Sequence, residues 1–314
     1  YFCKKIVKKG IDTAFLLTGG GAMHLNDAIT RNKNIKSYFL HHEQSLTMAA
    51  EGFYRINNKV ALVNVTTGPG SINAINGVFG AFVDSIPMLI ISGQVKTSTM
   101  LQLQNKNLRQ LGDQEVNLYH LVRPVVKYIA TPINHEEAII AFKKCMFFLK
   151  EGRPGPVWLD IPMDIQSKYL DLEEIERIYS KERIKKINDY THPNTCINKN
   201  ISTKNIEERS KLMLKLIESS KRPLILAGNG IRISGTQELF LKVVDNLKIP
   251  AVTGWNSHDL LSKDNKYNCG KPSTVGDRSR NYAIKNCDLL IVLGCRLNIR
   301  QISYNWKNFA KMQK

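Results

Sequence analysis

The chain has 314 residues, enough for two domains, and its 43% hydrophobic and 23% charged residues are ordinary for a globular protein. The net charge of +18 raises the question of nucleic-acid binding, but the lysines are spread along the chain without interleaved aromatic residues, which argues against a nucleic-acid-binding face. No apolar run approaches the roughly 20 residues that cross a bilayer, and the six cysteines form no CxxC pair. We therefore expect a cytoplasmic protein with reduced thiols and with neither nucleic-acid nor membrane partners.

Short apolar runs alternate with helical patterns through the first half of the chain. The predicted strands, which are continuous, β-branched and bounded by Gly, Pro or polar residues, are 14–17, 38–40, 60–65, 88–92 and 157–161. The predicted helices are 25–30, 43–55, 72–83 and 136–150. This alternation predicts an α/β fold with a doubly wound parallel sheet covered by helices on both faces. Residues 95–120 form a long polar loop, and loops of that length are usually functional.

A second α/β unit with its own doubly wound parallel sheet follows a charged segment without periodicity. We assign residues 1–165 to the first domain, 166–205 to a linker and 206–314 to a second, truncated domain. The second domain has predicted helices at 206–219, 237–246 and 279–286 and predicted strands at 223–227, 250–253 and 288–293. The chain does not begin with Met and ends soon after a strand. We therefore expect a fragment that lacks a third domain.

Glycine-rich and polar segments follow the predicted strands of the first domain. They are Thr18-Gly19-Gly20-Gly21, His41-His42-Glu43-Gln44, Thr66-Thr67-Gly68-Pro69-Gly70-Ser71 and Gly93-Gln94. Ligands of open α/β sheets bind at the carboxyl ends of the strands, so these segments predict one site where glycines let the backbone approach a ligand. They contain neither a P-loop nor a GxGxxG pattern, which disfavours nucleoside-triphosphate and nicotinamide binding.

Glu43 begins a predicted helix, and the residues alone leave its role open. A lone Glu at that position most often only stabilises the helix dipole. The His41-His42-Glu43 triplet suggests a metal, but adjacent side chains diverge and no further His or carboxylate recurs at ligand spacing. No metal ligands are therefore predicted in this chain.

Several segments together resemble thiamine-diphosphate-dependent acetolactate synthases and their relatives, in the same order along the chain. They are His42-Glu43-Gln44 with Ala49-Ala50-Glu51-Gly52-Phe53, Thr67-Gly68-Pro69-Gly70 with Asn73 and Asn76-Gly77, Asp84-Ser85-Ile86-Pro87, Ile91-Ser92-Gly93-Gln94-Val95, Arg123-Pro124-Val125-Val126-Lys127 and Gly152-Arg153-Pro154-Gly155-Pro156-Val157. The resemblance is dense over residues 19–162 and fainter over residues 222–300.

The resemblance implies thiamine diphosphate as cofactor and Glu43 as the catalytic residue. In this family a carboxylate bonded to N1′ of the pyrimidine favours the imino form, which removes the proton from C2 of the thiazolium. The implied cofactor-binding residues are Gly19, Gly20, Gly21, Glu43, Thr67, Gly68, Pro69, Asn73 and Gln94.

The resemblance also implies an assembly, because the family's diphosphate and Mg²⁺ sit on a third domain of the partner subunit. That domain carries a Gly-Asp-Gly…Asn motif, which this sequence lacks. The complete protein is therefore expected to be a homodimer or homotetramer, and the present chain is expected to be inactive alone. Its apolar segment 68–82 is the candidate for the core of the dimer interface.

The chain departs from the family pattern where a substrate would bind. Asp113-Gln114-Glu115 stands in place of the family's Phe-Gln-Glu, and a carboxylate instead of an aromatic wall favours a polar acceptor. The alternative is that Asp113 points to solvent or pairs with Arg109. Candidate substrate contacts are His24, Asp113, Gln114 and Lys127, with a plain helix-face role as the alternative for His24.

The implied reaction is decarboxylation of a 2-oxo acid followed by carboligation, which gives acetolactate when pyruvate is donor and acceptor. The alternatives are another acceptor, such as a nucleotide-linked keto sugar, or simple decarboxylation. A non-catalytic partner protein is disfavoured because Glu43 is retained. In the second domain Gly228, Gly230 and Arg296 lie in segments that resemble FAD contacts, with ordinary turn chemistry as the alternative.

Overall fold

The computed structural model describes residues 1–104, 106–181, 203–276 and 278–310. The chain divides into two compact units, residues 1–198 and residues 199–314. Each unit contains one parallel β-sheet with helices around it.

The first unit contains a six-stranded sheet in which all neighbouring strands are parallel, in the order β2-β1-β3-β4-β6-β5. Its strands are β1 (Thr13–Leu16), β2 (Lys36–Phe39), β3 (Leu62–Val65), β4 (Leu89–Gln94), β5 (Tyr128–Ala130) and β6 (Val157–Pro162). Its helices are α1 (Phe2–Lys8), α2 (Met23–Thr30), α3 (Glu43–Asn57), α4 (Pro69–Val83), α5 (Leu118–Val122), α6 (His135–Phe148), α7 (Met163–Gln166) and α8 (Leu172–Lys181).

Both faces of this sheet are buried because successive side chains along each strand enter different hydrophobic cores. Leu89 and Ile91 pack in the core that also contains Phe142 of α6. Ile90 packs in the opposite core, which contains Val78 of α4. This arrangement explains why the strands appear in the sequence as continuous apolar runs.

Helices α3 and α4 pack closely against each other on one face of the sheet. A Cβ atom at Gly77 of α4 would lie 2.1 Å from the Thr47 Oγ1 atom of α3, and Thr47 Oγ1 donates to the Ala74 carbonyl at 3.3 Å. Only a glycine at position 77 permits this helix–helix distance.

The second unit contains a four-stranded parallel sheet in the order β10-β7-β8-β9. Its strands are β7 (Pro223–Ala227), β8 (Ala251–Thr253), β9 (Asn268–Gly270) and β10 (Leu289–Leu293). Its helices are α9 (Thr203–Ser219), α10 (Gly230–Ile233), α11 (Gln237–Leu247), α12 (Arg278–Asn286) and α13 (Ile299–Ile302). Alternate residues of β7 again enter different cores, Ile225 with α11 residues and Leu224 with Ile284 of α12.

The predicted α/β fold with two parallel sheets is confirmed. The sequence missed α1 and the three-residue strands β5 and β9. Within the predicted loop 95–120, the structure has 3-10 turns at Thr97–Thr99 and Leu101–Leu103 and the start of α5.

The predicted linker at 166–205 is wrong over its first part. Within it, α8 packs against the first unit, where Ile175 and Ile178 form a core cluster with Ile139 of α6. Glu176 of α8 also forms an ion pair with Lys5 of α1 at 2.7 Å. The remainder of the predicted linker, 182–202, lies outside the described residues.

No helix in the described part of the chain is long and apolar enough to cross a membrane. The described cysteines form no disulfide with one another.

Candidate active site

The strand order of the first sheet places a crevice between β1 and β3. From β1 the chain moves outward to β2 on one side, and β3 then continues the sheet on the other side. Loops that leave two such strands in opposite directions open a crevice at their carboxyl ends, which is where open α/β sheets bind ligands. Residues 18–21 follow β1, and residues 66–70 follow β3.

Glu43 is the first residue of α3 and is buried at this edge of the sheet, with 8% of its surface exposed. His42 caps the helix through its Nδ1 atom, which accepts a hydrogen bond from Gln44 N at 3.1 Å. The partial positive charge of the helix N-terminus favours a carboxylate at position 43.

The two oxygens of the Glu43 carboxylate have different surroundings. Asn73 of α4 donates from Nδ2 to Oε2 at 3.1 Å. Oε1 lies beside Gly70, where a Cβ atom would come within 3.1 Å of it. The carboxylate is thus oriented by Asn73 through one oxygen, and no side chain larger than that of glycine fits at position 70 beside the other.

Most of the predicted cofactor glycines are required by loop–loop packing rather than by an open ligand space. A Cβ atom at Gly19 would lie 2.4 Å from Thr66 Cβ, and one at Gly21 would lie 1.9 Å from Thr67 Oγ1. Gly20 differs, because a Cβ atom there would meet no atom within 4 Å. A Cβ atom at Gly70 would lie 2.8 Å from Thr66 Cγ2, so Gly19, Gly21 and Gly70 serve close packing and only Gly20 borders open space. The close approach of backbone to ligand stays a prediction.

The loop after β3 also depends on residues predicted to bind the cofactor. Thr67 Oγ1 donates to the Gly93 carbonyl at 3.1 Å, which ties the loop after β3 to β4. Gly68 has φ of 58°, a left-handed conformation that favours glycine. Pro69 then occupies the first turn of α4, where a missing N–H costs no helical hydrogen bond.

Gln94, predicted to contact the cofactor or substrate, has its side-chain amide occupied within the chain. Nε2 donates to Asp160 Oδ2 at 2.9 Å and to the Val116 carbonyl at 3.0 Å, while Oε1 accepts from Val95 N at 2.9 Å. Both amide N–H groups are therefore used. The Gln94 side chain thus bridges β4, β6 and the following loop, and its predicted role in ordering the cofactor or substrate stays a prediction.

The loop between β4 and α5 carries Asp113 and Gln114 to the Gly68 turn. A Cβ atom at Gly68 would lie 2.1 Å from the Gln114 carbonyl oxygen, so the two backbones are in contact. Both side chains are exposed, and no ion pair joins Asp113 to Arg109 in the described part of the chain. The Glu115 carboxylate accepts from the amides of Leu101 and Gly112 at 2.5 and 3.0 Å and thereby folds the loop on itself.

His24 and Lys127 lie in different environments. His24 is exposed in the first turn of α2. Lys127 is buried immediately before β5, at the amino edge of the sheet, and its Nζ donates to the carbonyls of Phe148 and Glu151 near the end of α6. Burial lowers the pKa of Lys127 to about 8, while the charge of Glu151 raises it. Strand β5 lies between Lys127 and the carboxyl edge of this sheet, and the substrate contact of Lys127 stays a prediction.

Sequence reasoning missed two residues that build the site. Gln166 Nε2 donates to the carbonyls of Gly21 at 2.8 Å and Ile161 at 2.7 Å, which fixes the loop after β1 to β6. Asp160 is fully buried on β6, and burial raises its pKa to about 7, against hydrogen bonds from Ser92, Gln94 and Thr131 that lower it. The available signal was a carboxylate in the middle of the apolar run 157–161, where charged residues are rarely buried without partners.

In the second unit, the predicted FAD-like glycines pack against one another. A Cβ atom at Gly228 would lie 2.4 Å from the Gly294 carbonyl oxygen, and one at Gly230 would lie 2.7 Å from the same atom. Arg296 is exposed. The side-chain oxygen of Thr253, at the carboxyl end of β8, is buried without a hydrogen-bond partner within the described residues. The glycines are thus explained by turn packing.

A metal site would require several ligating side chains close together. The described ranges contain no group of three or more His, Cys, Asp or Glu residues that could hold a metal ion.

Comparisons with known proteins place both units. Residues 1–116 match the family described as "Thiamine pyrophosphate enzyme, N-terminal TPP binding domain", and residues 211–314 match "Thiamine pyrophosphate enzyme, central domain". A relative from Methanococcus aeolicus, named "Probable acetolactate synthase large subunit", is 31% identical over 99% of this chain and 48% of its own length. The "Acetolactate synthase large subunit" of Lactococcus lactis is 29% identical over 97% of this chain and 48% of its own length.

Among solved structures, the thiamine diphosphate-dependent 4-hydroxybenzoylformate decarboxylase of Rhodococcus jostii has a TM-score of 0.75. It is 18% identical, and the match covers 94% of this chain and 51% of that one. The fold is therefore shared. The chain spans about half the length of the curated relatives that it matches.

Proposed function

Since the chain belongs to the thiamine pyrophosphate enzyme family, we propose that the complete protein is a thiamine-diphosphate-dependent carboligase. It would decarboxylate a 2-oxo acid and join the remaining carbon unit to a carbonyl acceptor. The observation that carries the proposal is the buried Glu43 carboxylate, oriented by Asn73 at the carboxyl edge of the first sheet. The names of the relatives, acetolactate synthase large subunit, favour pyruvate as both donor and acceptor.

The residues at this edge fit the pyrimidine ring of thiamine diphosphate. Glu43 would hold a hydrogen bond to a ring nitrogen, and its low exposure strengthens that bond because little water competes for it. The glycine at position 70 keeps any side chain from covering Oε1. When bound, the cofactor supplies the nucleophilic carbon and the electron sink. Glu43 keeps the proton at the ring nitrogen that makes this chemistry available.

The loop at Asp113 and Gln114 would form the acceptor side of the site. Its contact with Gly68 places both residues next to the turn that begins α4, the helix that carries Asn73. An anionic side chain there disfavours a second 2-oxo acid and favours an acceptor with hydroxyl groups. A nucleotide-linked keto sugar is therefore the second candidate acceptor, and Asp113 is the residue that favours it.

The test uses the complete protein with thiamine diphosphate, Mg²⁺ and pyruvate alone. We expect acetolactate, detected after acid decarboxylation to acetoin. Carbon dioxide release with acetaldehyde as the product contradicts carboligation, and no release of carbon dioxide from any 2-oxo acid contradicts the whole proposal. Turnover that requires an added keto sugar supports the second acceptor.

We propose a homodimer or homotetramer in which the outer side of α4 lies at the interface. Gly77 faces α3, whereas Ile72 and Phe79 of α4 are 46% and 53% exposed. Large apolar side chains at that exposure on one helix favour a protein partner. Sedimentation of the complete protein tests this, and a monomer with normal turnover contradicts it.

Mg²⁺ and FAD are further parts of the proposal. Mg²⁺ would bind with the diphosphate at ligands outside the described residues. FAD would bind at the carboxyl edge of the second sheet, where the Thr253 hydroxyl lacks a partner within the described residues. Yellow colour and flavin release on heating of the purified complete protein support FAD, and their absence after reconstitution with FAD contradicts it.

A further inference from the structure

Asp160 is a fully buried carboxylate on β6 that the proposed chemistry does not use. Ser92 Oγ donates to Oδ1 at 2.6 Å, and Gln94 Nε2 donates to Oδ2 at 2.9 Å. Thr131 Oγ1 donates to Oδ2 at 3.4 Å. Because a buried carboxylate is costly even when hydrogen-bonded, an apolar residue would serve a core strand better. The position of Asp160 therefore points to a specific task.

The hydrogen bonds of Gln94 indicate what Asp160 does. One N–H donates to Asp160 and the other to the Val116 carbonyl, at the end of the loop that follows β4. An amide can rotate to exchange its oxygen and nitrogen, so a single contact does not fix it. Oε1 of Gln94 also accepts from Val95 N at 2.9 Å, so three contacts hold the amide, and the contact with Asp160 is the one that joins it to β6.

We propose that Asp160 is a positioning residue which, through Gln94, seats the loop 97–116 against the glycine turn at Gly68. The seated loop places the Gln114 carbonyl in contact with Gly68 and brings Asp113 to the same edge. This inference rests on the proposed function, because the loop is the proposed acceptor wall. It adds that Asp160, a residue of β6 that touches no substrate, determines the position of the loop that forms the proposed acceptor wall.

The same strand–helix segment also holds the beginning of the loop. Thr97 donates to Asp164 at the start of α7 from its backbone N at 3.0 Å and from Oγ1 at 2.5 Å. Asp160 and Asp164 are four residues apart on β6 and α7, so the two ends of the loop are fixed to one short, well-packed segment. Pinning both ends removes much of the freedom that a long polar loop otherwise has.

Hydrogen exchange of the backbone amides tests the seating of the loop without relying on catalysis. We compare the complete protein with Asp160→Asn, Gln94→Met and the double variant. Both single variants should exchange the amides of residues 95–116 at least tenfold faster, and the double variant should exchange them no faster than Gln94→Met, because the two residues act in series. Thr131→Val is the matched control, since it removes a donor to the same oxygen and leaves the Gln94 bridge intact.

The second measurement is steady-state kinetics with pyruvate. The single variants should raise KM severalfold with a smaller change in kcat, and Thr131→Val should change neither. Unchanged exchange in Asp160→Asn, additive effects in the double variant, or faster exchange spread over the whole first unit would each overturn the positioning role. If the parent turns over no 2-oxo acid, the proposed function fails, while the exchange data still decide whether Asp160 seats the loop.

Discussion

At the carboxyl edge of the first sheet, Asn73 fixes one oxygen of the Glu43 carboxylate and the other oxygen lies beside a glycine, whereas three charged side chains at the amino edge bond within the chain. There Lys127 donates to carbonyls at the end of α6, and Arg153 Nε donates to Ser85 Oγ at 2.5 Å. Arg55 joins Asp84 at 2.5 Å and so ties the end of α3 to the end of α4.

The residues of both edges belong to the same family-like segments, so a motif alone does not distinguish a residue that binds a ligand from one that stabilises the fold. The edge of the sheet at which the residue lies makes that distinction. In parallel sheets ligands meet the carboxyl ends of the strands, and charged groups at the other edge are free to stabilise helix ends. We therefore expect substitutions of Glu43 and Asp113 at the carboxyl edge to change turnover or specificity, and substitutions at the amino edge to change stability.

Glu43→Gln should have the largest effect. The amide keeps the size of the side chain but cannot hold the proton as the carboxylate does, so kcat of the complete protein should fall by about 10²–10⁴. The free energy of unfolding should change little. Glu51→Gln on the same helix, paired with Arg55, is the control and should keep its turnover. Normal deuterium exchange at C2 of the bound cofactor in Glu43→Gln would contradict the assignment.

Asp160, at the carboxyl edge, should make the free energy of unfolding depend on pH. Burial raises its pKa from 3.8 to about 7, so between these values the folded state holds a proton that the unfolded state has lost. Its contribution to stability is therefore complete below about pH 4 and is lost as the pH rises to about 7, by an amount on the order of a few kcal/mol.

Urea unfolding of the parent and Asp160→Asn between pH 4 and pH 8 measures this contribution. The free energy of the parent minus that of the variant should fall with rising pH and become constant above about pH 7. A constant difference over the whole range would show that Asp160 is ionised throughout.

Lys127→Met should separate the two edges most directly. Removing the amine leaves the carbonyls of Phe148 and Glu151 without this donor, at a cost of about 1–3 kcal/mol in unfolding free energy. We expect kcat and KM at a temperature below the melting transition to match the parent. Lys150→Met, an exposed residue of the same region, should change neither quantity. A loss of turnover in Lys127→Met at an unchanged free energy of unfolding would support the predicted substrate role of Lys127.

Asp113→Phe should have the smallest effect, because the side chain is exposed and its charge is partly screened. When pyruvate and a keto-sugar acceptor compete, the ratio of acetolactate to the other product should rise by up to about tenfold, equivalent to about 1.4 kcal/mol in relative barrier height. Asp113→Asn separates charge from shape, and it should give part of the increase. Equal product ratios in parent and both variants would remove Asp113 from the acceptor wall.

Most of the first sheet could be predicted from the sequence because β3, β4 and β6 are buried on both faces and therefore form apolar runs. Strand β5 could not be predicted, since Tyr128–Ala130 is a three-residue edge strand without a separate apolar run. Helix α8 was missed because its apolar residues Ile175 and Ile178 stand in a charged segment, where a three-residue spacing is easily overlooked.

For the site, the resemblance identified Glu43 and Asn73, which the structure joins by a hydrogen bond. It also selected Lys127, which lies at the amino edge of the sheet, and a shared motif does not record which edge a residue occupies. Asp160 was absorbed into an apolar run, although a carboxylate inside a buried strand is itself a signal. The partners that explain it, Ser92, Gln94 and Thr131, are far away in sequence and come together only in the fold.

The close contact of Gly77 with Thr47 sets the distance between α3 and α4 near the Glu43 carboxylate. Thr47 lies one helical turn after Glu43, and Gly77 lies one turn after Asn73, so the two pairs are successive rungs between the same helices. An alanine at position 77 would force α3 and α4 apart at one rung and stretch the 3.1 Å hydrogen bond at the next. In laboratory evolution of acceptor preference, we would expect accepted substitutions in the loop at Asp113, whereas position 77 would tolerate no side chain.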